Sequence, residues 1–186
     1  ALGPAMGSIH QEAGTTIAFW NKSGTAPILN VVRTDKKNSD YLDWNQKGLQ
    51  FIQKYRPKKV LLAARWSNYE SSKLLTTGEG NQIVDVQHHL QETIDQIAPH
   101  TEEVIVLFEA PLQEGNPRVK FWSWYEQMEG AAPTGVPYER QTPFDPSRFS
   151  KGVVCLEPHV PVDETNHTML GDRDGPYYWD DDHLSA

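Results

Sequence analysis

The stretch Lys58-Lys59-Val60-Leu61-Leu62-Ala63-Ala64-Arg65-Trp66 constrains the fold of this chain most strongly. Its centre is continuously apolar, without the alternation of a half-solvated strand. It reads as a strand buried on both faces, the kind that parallel sheets contain. A helix precedes it, from about Tyr41 to Tyr55, with Ser39 or Asp40 as cap, a broken apolar stripe of Leu42, Leu49 and Ile52, and Pro57 as its stop. A second helix follows a polar loop over 70–82. Its stripe is Ile83, Val86, Leu90, Ile94 and Ile97, and Pro99 ends it. Val104-Ile105-Val106-Leu107-Phe108 is then a second central strand, and Val153-Val154-Cys155-Leu156 a later one. Strand, helix and strand in this order are the signature of a parallel sheet. The expected fold is therefore α/β, a three-layer α/β/α arrangement around a central parallel sheet. Thr15-Thr16-Ile17-Ala18-Phe19-Trp20 reads as a further parallel strand, and Val31-Val32-Arg33 as a short one.

At 186 residues the chain is expected to form one domain over 1–186, with room for a sizeable core. A net charge of −8 and a pI near 5.3 argue against binding the phosphate backbone of nucleic acid. No stretch approaches the 18 apolar residues of a membrane span. The single Cys155 leaves no partner for an internal disulfide and reads as a small buried residue. No metal is expected. Adjacent His88 and His89 on a helix point in different directions, and His159 and His167 match no zinc spacing. Asp172-Arg173-Asp174-Gly175 lacks the later ligands of a calcium loop and reads as a turn between short strands. There is no Gly-x-Gly-x-x-Gly and no Walker loop, so no nucleotide cofactor is expected.

In open α/β sheets, ligands sit beyond the carboxyl ends of the strands. That rule singles out three loops: Asn21–Pro27, Arg65–Tyr69 and the stretch beginning at Glu109. Arg65 would supply a cationic donor to a developing negative charge, or else it makes a structural ion pair and Trp66 is a core residue. Asn68 is a second candidate donor. Phe121, Trp122, Trp124 and Tyr125 either stack on sugar rings or pack a helix onto the sheet. Tyr138, Arg140, Phe144, Arg148 and Phe149 lie in a Pro/Gly-rich stretch that would cover the site or an edge. At the end of the chain, Tyr177-Tyr178-Trp179 leads into Asp180-Asp181-Asp182-His183. Asp180 and His183 are three apart, so a carboxylate can fix the imidazole tautomer and leave its other nitrogen free to act on a serine. A solvated acidic turn is the alternative.

The run Tyr178-Trp179-Asp180-Asp181-Asp182-His183-Leu184-Ser185 resembles the last block of SGNH-type hydrolases and acyltransferases. It is most similar to the SGNH domains fused to multi-pass membrane acyltransferases that O-acylate bacterial surface sugars. The resemblance implies a flavodoxin-like SGNH architecture, with Asp180 and His183 as triad members. It implies that Ser23 or Gly24, in the second block, offers a backbone N–H to the oxyanion. The third block departs from the wider superfamily's Gly-x-Asn and reads Ala64-Arg65-Trp66, an Arg-Trp pair found in the membrane-acyltransferase subgroup. Residues 1–13 look like the helix after the first block, or else Gly3–Ser8 is an expression scar. On the first reading the nucleophilic serine lies upstream of residue 1, the fold is truncated at both ends, and the fragment alone is inactive. The implied activity is O-acyl transfer, acetyl above all, to a carbohydrate acceptor. The acyl donor would be a membrane acyltransferase domain, and the site would lie outside the cytoplasmic membrane. Two other readings are an O-acetylesterase of the same fold, and a carbohydrate-binding or interaction module using Trp66, Trp122 and Trp124.

Overall fold

The computed structural model describes residues 14–22, 24–33, 39–70, 75–77, 85–127, 130–138 and 144–178. They fall into two compact units. One comprises Trp20–Glu109 with Thr142–Glu157, and the other Ala1–Phe19, Ala110–Gln141 and Pro158–Ala186.

The first unit holds the expected parallel sheet. Strands β2 (Lys59–Ala63), β4 (Glu103–Leu107) and β6 (Val153–Leu156) run parallel in the order β2-β4-β6. The register pairs Val60 with Val104 and Val104 with Val153, then Leu62 with Val106 and Val106 with Cys155. Because side chains alternate along each strand, these rows share one face. Helices α1 (Ser39–Tyr55) and α3 (Val86–Ile97) deliver Leu49, Leu90, Ile94 and Ile97 to the same core cluster as that face. Cys155 lies half-buried against this cluster. The sheet is an α/β layer as expected, but β2 is not buried on both faces. Leu61 is 36% exposed and Leu156 43%, since each sits on the opposite row of a strand with one described neighbour. Strand β1 (Val31–Arg33) forms as expected but pairs antiparallel with β3 (Leu75–Thr77), apart from the parallel sheet.

The expected strand over Thr15–Trp20 is absent. Those residues are irregular, with Phe19 and Trp20 56% and 46% exposed. A β-rich composition makes a strand only where one face finds packing, and here neither face is buried.

Polar side chains stitch the irregular segments of this unit to its helices. Asn45 Nδ2 donates to the carbonyls of Ala26 (3.0 Å) and Ile28 (2.8 Å), and the Leu29 amide donates to Thr93 Oγ1 (2.9 Å). The buried Gln87 donates to the Asp145 carbonyl and accepts from the Asp145 amide, at 2.6 and 3.0 Å. Gln91 makes a similar pair with Ser150. Phe144 and Phe149 are thereby drawn into the core.

In the second unit, β5 (Thr134–Pro137) pairs antiparallel with β7 (His167–Met169). The buried Gln113 accepts from the Val136 amide (3.1 Å) and from Thr168 Oγ1 (3.0 Å), and donates to the Pro111 carbonyl. Gly135 permits this: a Cβ there would overlap Gln113 Oε1 and Thr168 Oγ1. The turn expected at Asp172–Gly175 closes the hairpin of β8 (Gly171–Asp172) and β9 (Gly175–Pro176). Helix α4 (Pro117–Gln127) packs Phe121 against Gly171, where a Cβ would collide with the ring.

Asp85 caps α3, accepting from the His88 amide at 3.1 Å. Its hydrogen bond from Arg148 (2.8 Å) is the main influence holding its carboxyl below the usual carboxylate range. The ion pair is solvent-exposed and contributes little by itself, so the cap dominates. A lowered folded-state value means that the ionised form stabilises the fold above the unfolded value of about 3.9. That stabilisation is lost as pH falls through the lower folded value. Asp85→Ala should cost about 1 kcal/mol near neutral pH. Thermal melts from pH 7 to pH 3 should show this difference steady at first and shrinking in the most acid samples.

Candidate functional site

Because β2, β4 and β6 are parallel, their carboxyl ends lie along one edge of the sheet. Arg65 and Asn68 occupy the single tight turn that leaves β2 at this edge. The Asn68 amide donates to the Arg65 carbonyl (3.1 Å), and the Tyr69 amide to the Trp66 carbonyl (2.8 Å). These bonds begin the short helix α2 (Ser67–Glu70). Arg65 is half-buried and Asn68 exposed. Both residues therefore sit where a ligand at the strand ends would approach.

Two interactions fix the turn. Trp66 is fully buried, and its Nε1 donates to the Leu107 carbonyl at the end of β4 (2.7 Å). Phe144 meets the indole edge-on at 5.1 Å. Trp66 is thus core, and it cannot be a sugar-stacking face. Glu109, at the end of β4, accepts from the Ser67 amide through both oxygens (3.3 and 3.2 Å). A carboxylate there serves the otherwise unpaired amides of a helix start. The Phe108 amide donates to the Leu156 carbonyl (2.8 Å), joining the ends of β4 and β6.

Gly24 lies in a separate turn, in which the Thr25 amide donates to the Lys22 carbonyl (3.2 Å). Its φ of +69° is in the left-handed region that glycine tolerates best. Asn45 and Thr93 hold the chain just after it, at Ala26–Leu29. Sequence reading did not single out these two clamps. Their signal was a polar residue facing inward on each helix, Asn45 beside Leu49 and Thr93 beside Ile94. Ser23, Asp180 and His183 lie outside the described residues, as do residues 1–13, Ile83 and Arg140.

The second unit brings the chain to the closing block. Tyr177 Oη donates to Asp172 Oδ2 (2.7 Å), while Asp172 Oδ1 accepts from the Asp174 and Gly175 amides (2.8 and 3.3 Å). These bonds hold the Asp172 carboxyl below its usual range, the tyrosine foremost, and push the Tyr177 hydroxyl up to about 12. Tyr178 is fully buried, and burial pushes its hydroxyl up to about 12 as well. Gln113 lies near enough to oppose that shift but makes no hydrogen bond of ordinary geometry with it. In α4, Phe121 is buried and Trp122 is 39% exposed, with Tyr125 packed 5.3 Å from Trp122.

His88 and His89 do not diverge as expected. Their rings lie 5.5 Å apart and both approach Glu92, at 3.4 and 2.9 Å. Among the described residues, no group of three or more His, Cys, Asp or Glu side chains is arranged to hold a metal. Asp163 instead closes a turn, accepting from the Thr165 and His167 amides. No helix among the described residues is long and apolar enough to cross a membrane.

A family model described as SGNH domain (fused to AT3 domains) matches residues 1–186. The chain belongs to this family. Neither the curated proteins nor the solved structures gave a match. Membership gives this SGNH domain a hydrolase- and acyltransferase-type character and associates it with a membrane acyltransferase domain.

Trp66 tests the geometry of the site. Trp66→Phe keeps a ring in the core but removes the donor to Leu107. Losing this partly buried hydrogen bond should cost about 1 kcal/mol, and the smaller ring adds a cavity term. Urea unfolding should show a lowered midpoint with an unchanged slope.

Proposed function

We propose that this SGNH domain, as one domain over 1–186, transfers an O-acyl group, acetyl in the first instance, to hydroxyls of a bacterial surface polysaccharide. His183 is the general base and Asp180 orients it. The nucleophile is a serine that the family's first block would supply ahead of residue 1. The serine hydroxyl attacks the carbonyl carbon of the incoming acyl ester and gives its proton to His183, which returns it to the departing alcohol. A sugar hydroxyl then attacks the acyl-serine. His183 takes that proton and passes it back to the serine as the new ester leaves. The backbone at Ser23 or Gly24, with Arg65 and Asn68, stabilises the negative charge on the carbonyl oxygen in both steps.

The observation that carries this reading is the match of the whole chain to a family defined by fusion to membrane acyltransferase domains. The closing Asp180-x-x-His183 block supplies the chemistry that such a family needs. The membrane domain would be the acyl donor, and the site would face the periplasm or the extracytoplasmic side, tethered to the inner membrane. No cofactor enters either step. With water in place of the sugar, the same residues make an O-acetylesterase. A binding module built on Trp66 is disfavoured, because that ring is buried.

The test uses the full-length protein, assayed for p-nitrophenyl acetate hydrolysis and for acetyl transfer to polysaccharide. His183→Ala should lower both rates by roughly a thousandfold or more. Activity of the unsubstituted protein should rise with pH through the ordinary imidazole range, about 6.5. An unchanged rate in His183→Ala would remove the triad from the mechanism.

A further inference from the structure

Three polar side chains are buried together in the second unit: Gln113, Thr168 and Tyr178. The Gln113 carboxamide is held on three sides. Its Oε1 accepts from the Val136 amide and from Thr168 Oγ1, and its Nε2 gives one hydrogen to the Pro111 carbonyl. A carboxamide nitrogen carries two hydrogens. The second is not used in these bonds, and the Tyr178 hydroxyl lies beside the carboxamide. That hydroxyl is sealed from solvent and makes no hydrogen bond of ordinary geometry. The Tyr178 ring packs in the cluster of Ala110, Val160 and Leu170. A phenylalanine would fill this apolar seat without burying an O–H. An unpaired buried hydroxyl destabilises a fold, so its presence here calls for a gain elsewhere.

The gain lies in the chain that follows. Asp180 is two residues from Tyr178 and His183 five. Two residues of chain reach at most about 7 Å, so a displaced Tyr178 carries Asp180 with it. The preceding residue is tied by a different set of bonds. The Tyr177 amide donates to the Leu170 carbonyl (2.9 Å), and its hydroxyl to Asp172 in the β8–β9 hairpin (2.7 Å). With both rings seated, the backbone at this point is tied against sliding and against rotation.

We propose that Tyr178, seated against Gln113, is a positioning residue for the reaction proposed above: it sets the orientation of Asp180 and, through that carboxylate, of the His183 imidazole. The inference rests on that reading, in which Asp180 and His183 belong to the triad. Tyr178 touches no reacting atom. Its hydroxyl accepts the second hydrogen of Gln113 Nε2 when the triad is aligned, so the buried phenol gains its partner in the reacting state. The effect falls on the chemical step and on the basicity of His183, because an aligned carboxylate favours the imidazolium.

The test uses the full-length protein with Tyr178→Phe, which keeps the ring and removes the hydroxyl. Hydrolysis of p-nitrophenyl acetate should lose about tenfold in kcat with KM unchanged. The acid limb of the kcat/KM profile should move to lower pH by about half a pH unit, since a misaligned Asp180 raises the His183 pKa less. The melting temperature should not fall, because the variant removes an unpaired buried hydroxyl. A tyrosine that served only the fold would change the amount of folded protein and leave the pH profile in place. In an Asp180→Asn background, Tyr178→Phe should have no further effect on kcat, because the carboxylate it orients is already gone. Unchanged kcat and pH profile in Tyr178→Phe overturn the proposal, as does an undiminished loss in the Asp180→Asn background. His183→Ala separates the two readings. Where it abolishes hydrolysis and Tyr178→Phe is silent, only the positioning role falls. Where it leaves hydrolysis intact, the catalytic reading falls and takes the positioning role with it.

Discussion

The bond from Trp66 Nε1 to the Leu107 carbonyl carries the edge of the sheet where chemistry is expected. Two parallel strands share a ladder, but that ladder ends at Ala63 and Leu107. Beyond it, nothing in sheet geometry dictates where the chain leaving β2 must go. The indole, itself fully buried, continues the pairing by one side-chain bond. A buried N–H is costly if left unpaired, so the alternatives to this turn are penalised. Arg65 and Asn68 inherit their place from that penalty. Glu109 adds a second tie from the end of β4 to the Ser67 amide.

The same device recurs throughout the first unit. Asn45, Thr93, Gln87 and Gln91 each bind backbone groups of irregular segments. Such segments carry amides and carbonyls that no helix or sheet satisfies. Supplying partners from α1 and α3 lets loops pack against the core without orphaned groups. Phe144 and Phe149 show the result, for they flank a segment pinned by Gln87 and Gln91 and stack edge-on at 5.9 Å.

The parts of the fold that announced themselves in the sequence were those set by local pattern. Val60–Ala63, Val104–Leu107 and Val153–Leu156 are apolar runs of strand length. The stripe of Val86, Leu90, Ile94 and Ile97 has the helical period. Thr15–Trp20 misled because β propensity measures fit to a half-buried surface and says nothing of whether such a surface exists. Trp66 remained ambiguous between ligand face and core, because the deciding fact is a carbonyl 41 residues away. Thr93 is a stronger case, with its backbone partner 64 residues distant. Within the candidate site, Arg65 and Asn68 were legible from the strand-end rule and Glu109 from its position. Its role as a cap for Ser67 was not, since it depends on how two strand ends lie side by side.

The closing block shows how little chain separates a structural anchor from the residues assigned to chemistry. The Tyr177 amide donates to the Leu170 carbonyl, and its hydroxyl to Asp172. Tyr178 is sealed from solvent. Asp180 follows by two residues and His183 by five. The Asp172–Tyr177 pair is strongest while the carboxyl is ionised and the phenol protonated. The carboxyl lies below its usual range and the phenol near 12, so both conditions hold across the whole range in which an imidazole titrates. The anchor is therefore constant over the pH range in which a histidine side chain changes charge. On the proposed mechanism, in which His183 cycles between neutral and cationic forms, the protonation of this pair does not move with it.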